Sequence, residues 1–172
     1  DDQLRFLFEN SSCVGVEMPV ERVLRIFNED NKDNLITNLE DILVRQLSSI
    51  LDIKETPIFY TSRGELIFRC NQERMRFSLF LAESMARIIG RISYRLGYII
   101  SKGGITTNIL LSKGMKFSDV NLKGQILPGL SVVCSTEKDT NKLPIVTFPG
   151  NFGDKETLLK VWNIFEGNST KP

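Results

Sequence analysis

The stretch Tyr98-Ile99-Ile100-Ser101-Lys102-Gly103-Gly104-Ile105-Thr106-Thr107-Asn108-Ile109-Leu110-Leu111 constrains the fold more than any other part of the chain. Tyr98, Ile99 and Ile100 form the short apolar run of a strand buried on both faces. Gly103 and Gly104 permit a sharp turn and remove the Cβ atoms that would hold a ligand off the backbone. Thr106 or Thr107 is placed to cap a following helix, and Ile109, Leu110 and Leu111 give that helix an apolar side. The first turn of such a helix has N–H groups without intrahelical partners, at the positive end of its dipole. That arrangement suits a phosphate. A glycine pair between strand and helix also makes its turn with no ligand, so this stretch alone fixes local structure and leaves function open.

A second stretch repeats the pattern. Pro144-Ile145-Val146-Thr147-Phe148 reads as a buried strand, and Pro149-Gly150-Asn151-Phe152-Gly153-Asp154 as a glycine-rich turn before a helix over about 155–165. Strands that run the same way in a parallel sheet end on one edge, so the two turns are expected there together. Neither turn is a P-loop, because no Gly-Lys-Ser/Thr follows, and neither fits Gly-x-Gly-x-x-Gly. Asp154 is placed either to cap the next helix or to help organise a magnesium ion.

The rest of the chain alternates strands and helices. Residues 1–9 predict a helix with Leu4, Leu7 and Phe8 on one face, and residues 13–18 a strand. Pro19 suits a helix start, and Val20, Val23, Leu24 and Phe27 make one buried stripe. A longer helix over 34–51 is expected to bury Leu35, Leu39, Ile42, Leu43, Leu47, Ile50 and Leu51. A strand over 58–61 follows, with Arg63 just beyond it, where an arginine meets a ligand, pairs with a carboxylate or faces water. The helix over 74–96 packs Phe77, Leu81, Met85, Ile88, Ile92 and Leu96 into a core. Its Arg87, Arg91 and Arg95 ridge reads as a solvated face. Residues 115–134 lack a helical period and predict two short strands turning at Pro128-Gly129, which suggests an antiparallel hairpin. Residues 135–142 read as a mobile loop and 166–172 as a fraying end. The class is α/β, a three-layer sandwich with a mainly parallel central sheet and helices on both faces.

Composition narrows the chemistry. The 172 residues include 22 Lys and Arg against 21 Asp and Glu, a net charge of +1, which gives no global footprint for nucleic acid or membrane. There is no histidine, so the commonest general base and zinc ligand are missing. Cys13, Cys70 and Cys134 lack metal or redox spacing and read as reduced, mostly buried thiols of a cytoplasmic protein. No membrane span or signal peptide is visible. The chain begins without methionine in an apparently helical stretch, which suggests a piece of a longer protein.

Three motifs in order carry a family resemblance. Lys102-Gly103-Gly104-Ile105-Thr106-Thr107, Gly124-Gln125-Ile126-Leu127-Pro128-Gly129 and Val146 to Asp154 resemble the signature of the four-carbon acid sugar kinases, long described as a domain of unknown function. Tyr60-Thr61-Ser62-Arg63 resembles a strand end in the same proteins. The match covers nearly the whole chain. It implies that residues 1–172 are the C-terminal nucleotide-binding domain of a larger kinase, whose sugar-acid-binding N-terminal domain lies outside this chain. It further implies ATP-dependent phosphorylation of a tetronate or 3-oxo-tetronate, with Mg2+ as cofactor. Gly103, Gly104, Ile105 and Thr106 would line the ATP phosphates, and Gly150 would belong to the second nucleotide loop, with Asn151 and Gly153 as further candidates. A serine-containing turn that family members carry before the first helix is not in this chain. Thr107 stands where serine is frequent, and the polar insertion around 137–141 is a departure.

On this reading the partners are ATP and a four-carbon sugar acid, with no nucleic acid and no membrane, and a homodimer is left open. No catalytic residue and no protein metal ligand is assigned. The fragment would bind nucleotide weakly and catalyse nothing by itself. A non-catalytic module that binds a phosphorylated metabolite as sensor or scaffold would use the same two turns. A purely structural pair of turns is the third alternative.

Overall fold

A computed structural model of the chain describes residues 2–64, 66–136 and 142–167. The elements run α1 (Asp2–Glu9), β1 (Val14–Met18), α2 (Val20–Phe27), α3 (Lys32–Asp52), β2 (Pro57–Thr61), α4 (Asn71–Ile92), β3 (Ile99–Lys102), α5 (Gly104–Ile109), β4 (Val120–Leu127), β5 (Leu130–Ser135), β6 (Ile145–Phe148) and α6 (Thr157–Phe165). A 3-10 turn over Ser93–Arg95 follows α4, and a π-helical turn over Leu110–Gly114 extends α5. The expected α/β class, with helices packed on both faces of the sheet, is what the chain adopts.

The strands form two pieces. β1 pairs with β2 in parallel, and the second piece has the order β3-β6-β5-β4. Within it β3 and β6 are parallel, while β5 pairs antiparallel with both β6 and β4. The antiparallel share is thus larger than a single hairpin. The expected hairpin is present, with β4 and β5 turning at Pro128-Gly129. β4 is the exposed edge, and register shifts at Leu122/Gly124 and Gln125/Leu127 break its regularity, a common protection against edge-to-edge pairing.

Alternation along the strands builds the layers. Val16 and Met18 of β1 and Phe59 of β2 join the core formed with α2, α3 and α4. Ile58, one residue along β2, joins the opposite core with Ile100, Val146, Phe148, Leu7 of α1 and Trp162 of α6. A period of two therefore sends neighbouring residues to different helical layers. The stripe expected on α4 is observed: Phe77, Ile88 and Ile92 are buried, with Leu81, Met85 and Leu96 packed against them. On α3, Ile36 is buried and Ile42 is exposed, the reverse of what the apolar pattern suggested for Ile42.

The arginine ridge is not a solvated face. Arg87, Arg91 and Arg95 reach across to α3 and pair with Glu40, Asp41 and Asp52 at 2.7, 2.7 and 2.6 Å. Glu40 is buried, and its Oε1 accepts from Ser84 Oγ (2.8 Å) as well as Arg87 Nε (3.0 Å) and Nη2. The carboxylates sit on a helix about fifty residues earlier, so spacing along α4 could not show them. The cysteines also differ from expectation: Cys70 is exposed, Cys13 half-buried and Cys134 buried. Most of the expected loop (137–141) and fraying end (168–172) lies outside the described residues.

Glu40→Ala should lower unfolding stability by about 2 kcal/mol, because it strands the buried Ser84 hydroxyl and the partly buried Arg87. Arg91→Ala, which opens a half-exposed pair, should cost about 0.5 kcal/mol or less. Urea unfolding of the two variants separates these outcomes.

Candidate functional site

β3 and β6 carry the two glycine turns to one point. They are neighbours in register, Ile99 opposite Ile145 through Lys102 opposite Phe148. The pairing continues one step further, where the Gly103 N–H donates to the Phe148 carbonyl at 2.7 Å. Gly103 has φ +104°, a conformation that side chains with a Cβ rarely adopt. From there the chain enters α5, and a methyl group on Gly150 would stand 3.9 Å from the Gly103 Cα. The two turns thus lie side by side at the carboxyl edge of the parallel strands, close enough that a side chain on Gly150 would touch Gly103.

The helix begins earlier than its threonines suggest. Gly103 is the N-cap residue and no side chain caps α5, so neither Thr106 nor Thr107 has that role. A helix opened by two glycines leaves no Ser or Thr at the position where a hydroxyl reaches back. Thr107 instead turns inward. Its Oγ1 lies 3.1 Å from the Ser101 carbonyl oxygen and 2.9 Å from Ser101 Oγ, which fastens the first turn of α5 to β3. Gly104, Ile105 and Thr106 are exposed, with Ile105 at 75%. As the first residues of the helix they have no carbonyl a turn earlier to accept their N–H groups. No heavy atom comes within 4 Å of where a Gly104 Cβ would stand, so the space over this turn is open.

The second loop divides into two parts. Gly150, Asn151 and Gly153 are all exposed, but Gly153 differs in its backbone and in its close approach to Thr157. Its φ is +78°, and a Cβ there would meet Thr157 Oγ1 at 2.4 Å. Asp154 holds the turn ahead of α6, whose N-cap residue is Glu156: its Oδ1 accepts the Glu156 N–H at 3.0 Å and the Thr157 hydroxyl at 2.8 Å. The Thr157 hydrogen bond and then the Glu156 N–H hold its carboxyl below the usual value. Among the described residues no cluster of three or more acidic, cysteine or histidine side chains is arranged to hold a metal. Arg63, just beyond the end of β2, is exposed and makes no ion pair among the described residues.

Lys102 was not singled out from the sequence, yet it joins the two turns. Its Nζ donates to the Gly150 carbonyl and stands 5.0 Å from the centre of the Phe148 ring. Burial lowers the affinity of this amine for its proton. The available signal was its place: the last residue of a strand, directly before Gly-Gly. A fixed ammonium beside exposed N–H groups and two side-chain-free turns makes a concave, positively biased patch fit for a polyphosphate.

The family model described as the nucleotide-binding C-terminal domain matches residues 1–158. The chain belongs to that family. The motifs pointed to this nucleotide-binding domain, and solved structures similar to the chain include DUF1537 proteins. A Bordetella bronchiseptica DUF1537 protein, a domain-swapped dimer with bound citrate, is similar with a TM-score of 0.68 at 12% identity, covering 95% of this chain and 37% of its own. A Haemophilus influenzae DUF1537 protein gives 0.60 at 16% identity with the same two coverages, 95% and 37%. A Salmonella typhimurium protein carrying a provisional tRNA synthase name gives 0.61 at 15% identity, again over 95% and 37%. The present chain therefore spans little more than a third of each. No match is found among the curated proteins. Among the described residues no helix is long and apolar enough to cross a membrane.

The Asp154 turn sets a pH dependence. Its carboxyl is held below the ordinary 3.8 of an aspartate, so its ionised form adds stability above that value, which is lost as pH falls through the folded pKa. Wild type should melt above Asp154→Asn at pH 7, and the gap should close below about pH 4. Thermal unfolding across pH checks this.

Proposed function

We propose that the two apposed turns hold the phosphates of ATP, and that the whole protein uses them to phosphorylate a hydroxyl of a four-carbon sugar acid, a tetronate or 3-oxo-tetronate. The observation that carries the reading is the apposition of the two glycine turns, joined by the Gly103 N–H to the Phe148 carbonyl and by Lys102 Nζ to the Gly150 carbonyl. In this assignment the N–H groups of Gly104, Ile105 and Thr106 point at phosphate oxygens. Gly150 keeps the opposite wall free of side chains, and Asn151 borders it. Gly153 shapes the loop from behind and does not meet the nucleotide.

Transfer of a phosphoryl group depends on positioning and on neutralising the charge of the phosphates. This chain contributes the backbone donors and the Lys102 ammonium. Magnesium, when it arrives with ATP, supplies further charge neutralisation, and such ions take most of their ligands from phosphate and water. Asp154 is the carboxylate of the second loop, with Oδ1 committed to Glu156 N–H and the Thr157 hydroxyl and Oδ2 3.9 Å from Lys160 Nζ. The residues present thus fit nucleotide-borne magnesium better than an ion held by protein alone. The acceptor hydroxyl and the base that takes its proton belong to the part of the protein outside this chain. The DUF1537 relatives, nearly three times as long as the matched portion, support that division.

Gly104 and Gly150 are the informative positions, because neither has positive φ and neither is crowded. Gly104→Val and Gly150→Val should keep the wild-type melting temperature and weaken Mg–ATP binding at least about tenfold, near 1.4 kcal/mol, in calorimetric titration. Unchanged binding in both variants would remove ATP from the turns. Lys102→Met should weaken binding with a reduced salt dependence. If the full-length protein binds ATP but phosphorylates no tetronate, the metabolite-sensor alternative takes the lead.

A further inference from the structure

β2 and β3 border one cleft of about 1320 Å³ without pairing. Their starts are held together, because Glu166 Oε1 accepts from Thr56 Oγ1 at 3.0 Å and from Tyr98 Oη at 2.5 Å. Their ends meet at the other edge, where Arg63, Lys102, Thr106 and Gly150 line the same cleft. Lys102 and its glycine turn stand on the β3 side, and Arg63 on the β2 side. Strands that do not pair stand further apart than the roughly 4.8 Å of ladder neighbours. Arg63 thus belongs to the wall opposite the phosphate turn. The backbone fixes it there. Ser62, directly before it, donates its N–H to the Met18 carbonyl at 2.9 Å, and Ser62 Oγ accepts the Val20 N–H at 2.8 Å. The end of β2 is thereby tied to the end of β1 and the head of α2. The guanidinium is left over from that frame. Arg95 also lines the cleft, and Asp52 takes it at 2.6 Å, whereas Arg63 is exposed and has no ion pair among the described residues. Glu17, the acid at this end of the cleft, stands opposite Tyr60 in register and makes no ion pair with Arg63.

We propose that Arg63 reads the terminal phosphate of ATP, closing from the β2 wall on a nucleotide whose inner phosphates lie on the Gly103-Gly104 turn. The inference rests on the ATP reading above and adds what separates ATP from ADP. Of the parts of a nucleotide, a guanidinium matches phosphate best, through two parallel N–H···O bonds. On that reading the N–H groups of Gly104, Ile105 and Thr106 and the Lys102 ammonium already serve the phosphates nearest the turn. The phosphate that projects furthest from the turn is the terminal one, and it is the part within reach of a cation on the far wall. It is also the group transferred, and a fixed cation beside it offsets its charge without rearrangement at the step. The two cations suit their two places. Lys102 is a point charge tied to the Gly150 carbonyl, while Arg63 is a planar fork on a long side chain that is free to close.

The test is calorimetric titration with Mg–ATP and with Mg–ADP of wild type, Arg63→Ala and Arg63→Lys. It uses the 172-residue chain, and the full-length protein where the chain binds too weakly to measure. Arg63→Ala should weaken ATP about tenfold and leave ADP within about twofold of wild type. Its melting temperature should not change, because the side chain is exposed. Arg63→Lys keeps the charge but loses the fork, and its ATP affinity should fall between the two. Lys102→Met should weaken both nucleotides, since its place is at the inner phosphates. Equal loss for ATP and ADP in Arg63→Ala would overturn the proposal, and so would no loss for either. Normal ATP binding in that variant, joined to a raised KM for the acid in the full-length protein, would overturn it as well and put the acid's carboxylate on Arg63. If wild type binds neither nucleotide, the ATP reading and this inference fall together. If wild type binds both and Arg63→Ala changes nothing, the inference alone falls.

Discussion

Everything at the candidate site hangs on the parallel pairing of β3 with β6 and its one-residue continuation into the turns. Gly103 N–H bonded to the Phe148 carbonyl holds two sequence-distant loops at hydrogen-bonding distance. A parallel ladder brings strand ends together on one edge, and Gly103 makes its turn there with a φ of +104° that favours glycine. Thr107 and Ser101 then lock α5 against β3, so the open N–H groups at the helix head are presented by a rigid frame. Loss of that pairing would separate the donors from the opposite wall.

The surrounding frame is held by polar links between layers as well as by core packing. The ladder of three arginines joins α4 to α3, and its deepest member surrounds a buried carboxylate. Tyr98 and Thr56 converge on Glu166 beneath the cleft, with the Tyr98 ring stacked 4.4 Å from Phe165. Burial, and then the Glu166 carboxylate, push the Tyr98 hydroxyl's pKa far above its ordinary value, so it stays a donor across the usual range. These contacts set the spacing of β2 and β3, and with it the width of the space between the two sheet pieces.

Much of this was legible in sequence. Strand and helix periodicities located nearly every element, because alternation and a 3.6-residue stripe are imposed by burial on each segment separately. Two glycine turns after two apolar runs predicted neighbouring loops, and the loops are neighbours, joined by Lys102 to the Gly150 carbonyl. The failures share a cause. The partners of Arg87, Arg91 and Arg95 lie on α3, Thr107 finds Ser101 six residues back across a turn, and Lys102 finds Gly150 forty-eight residues on. Hydrogen bonds and ion pairs between elements leave no periodic trace.

The sequence by itself determined the alternating α/β order, the two glycine turns and the family, since local geometry and ordered motifs are written in consecutive residues. Tertiary structure alone decided that the two glycine turns lie side by side, that Gly153 takes a positive φ against Thr157, that Lys102 spans the turns, and that β2 and β3 stay apart. Those outcomes depend on distances between segments, which the packing of two helical layers on the sheet sets and no single segment contains.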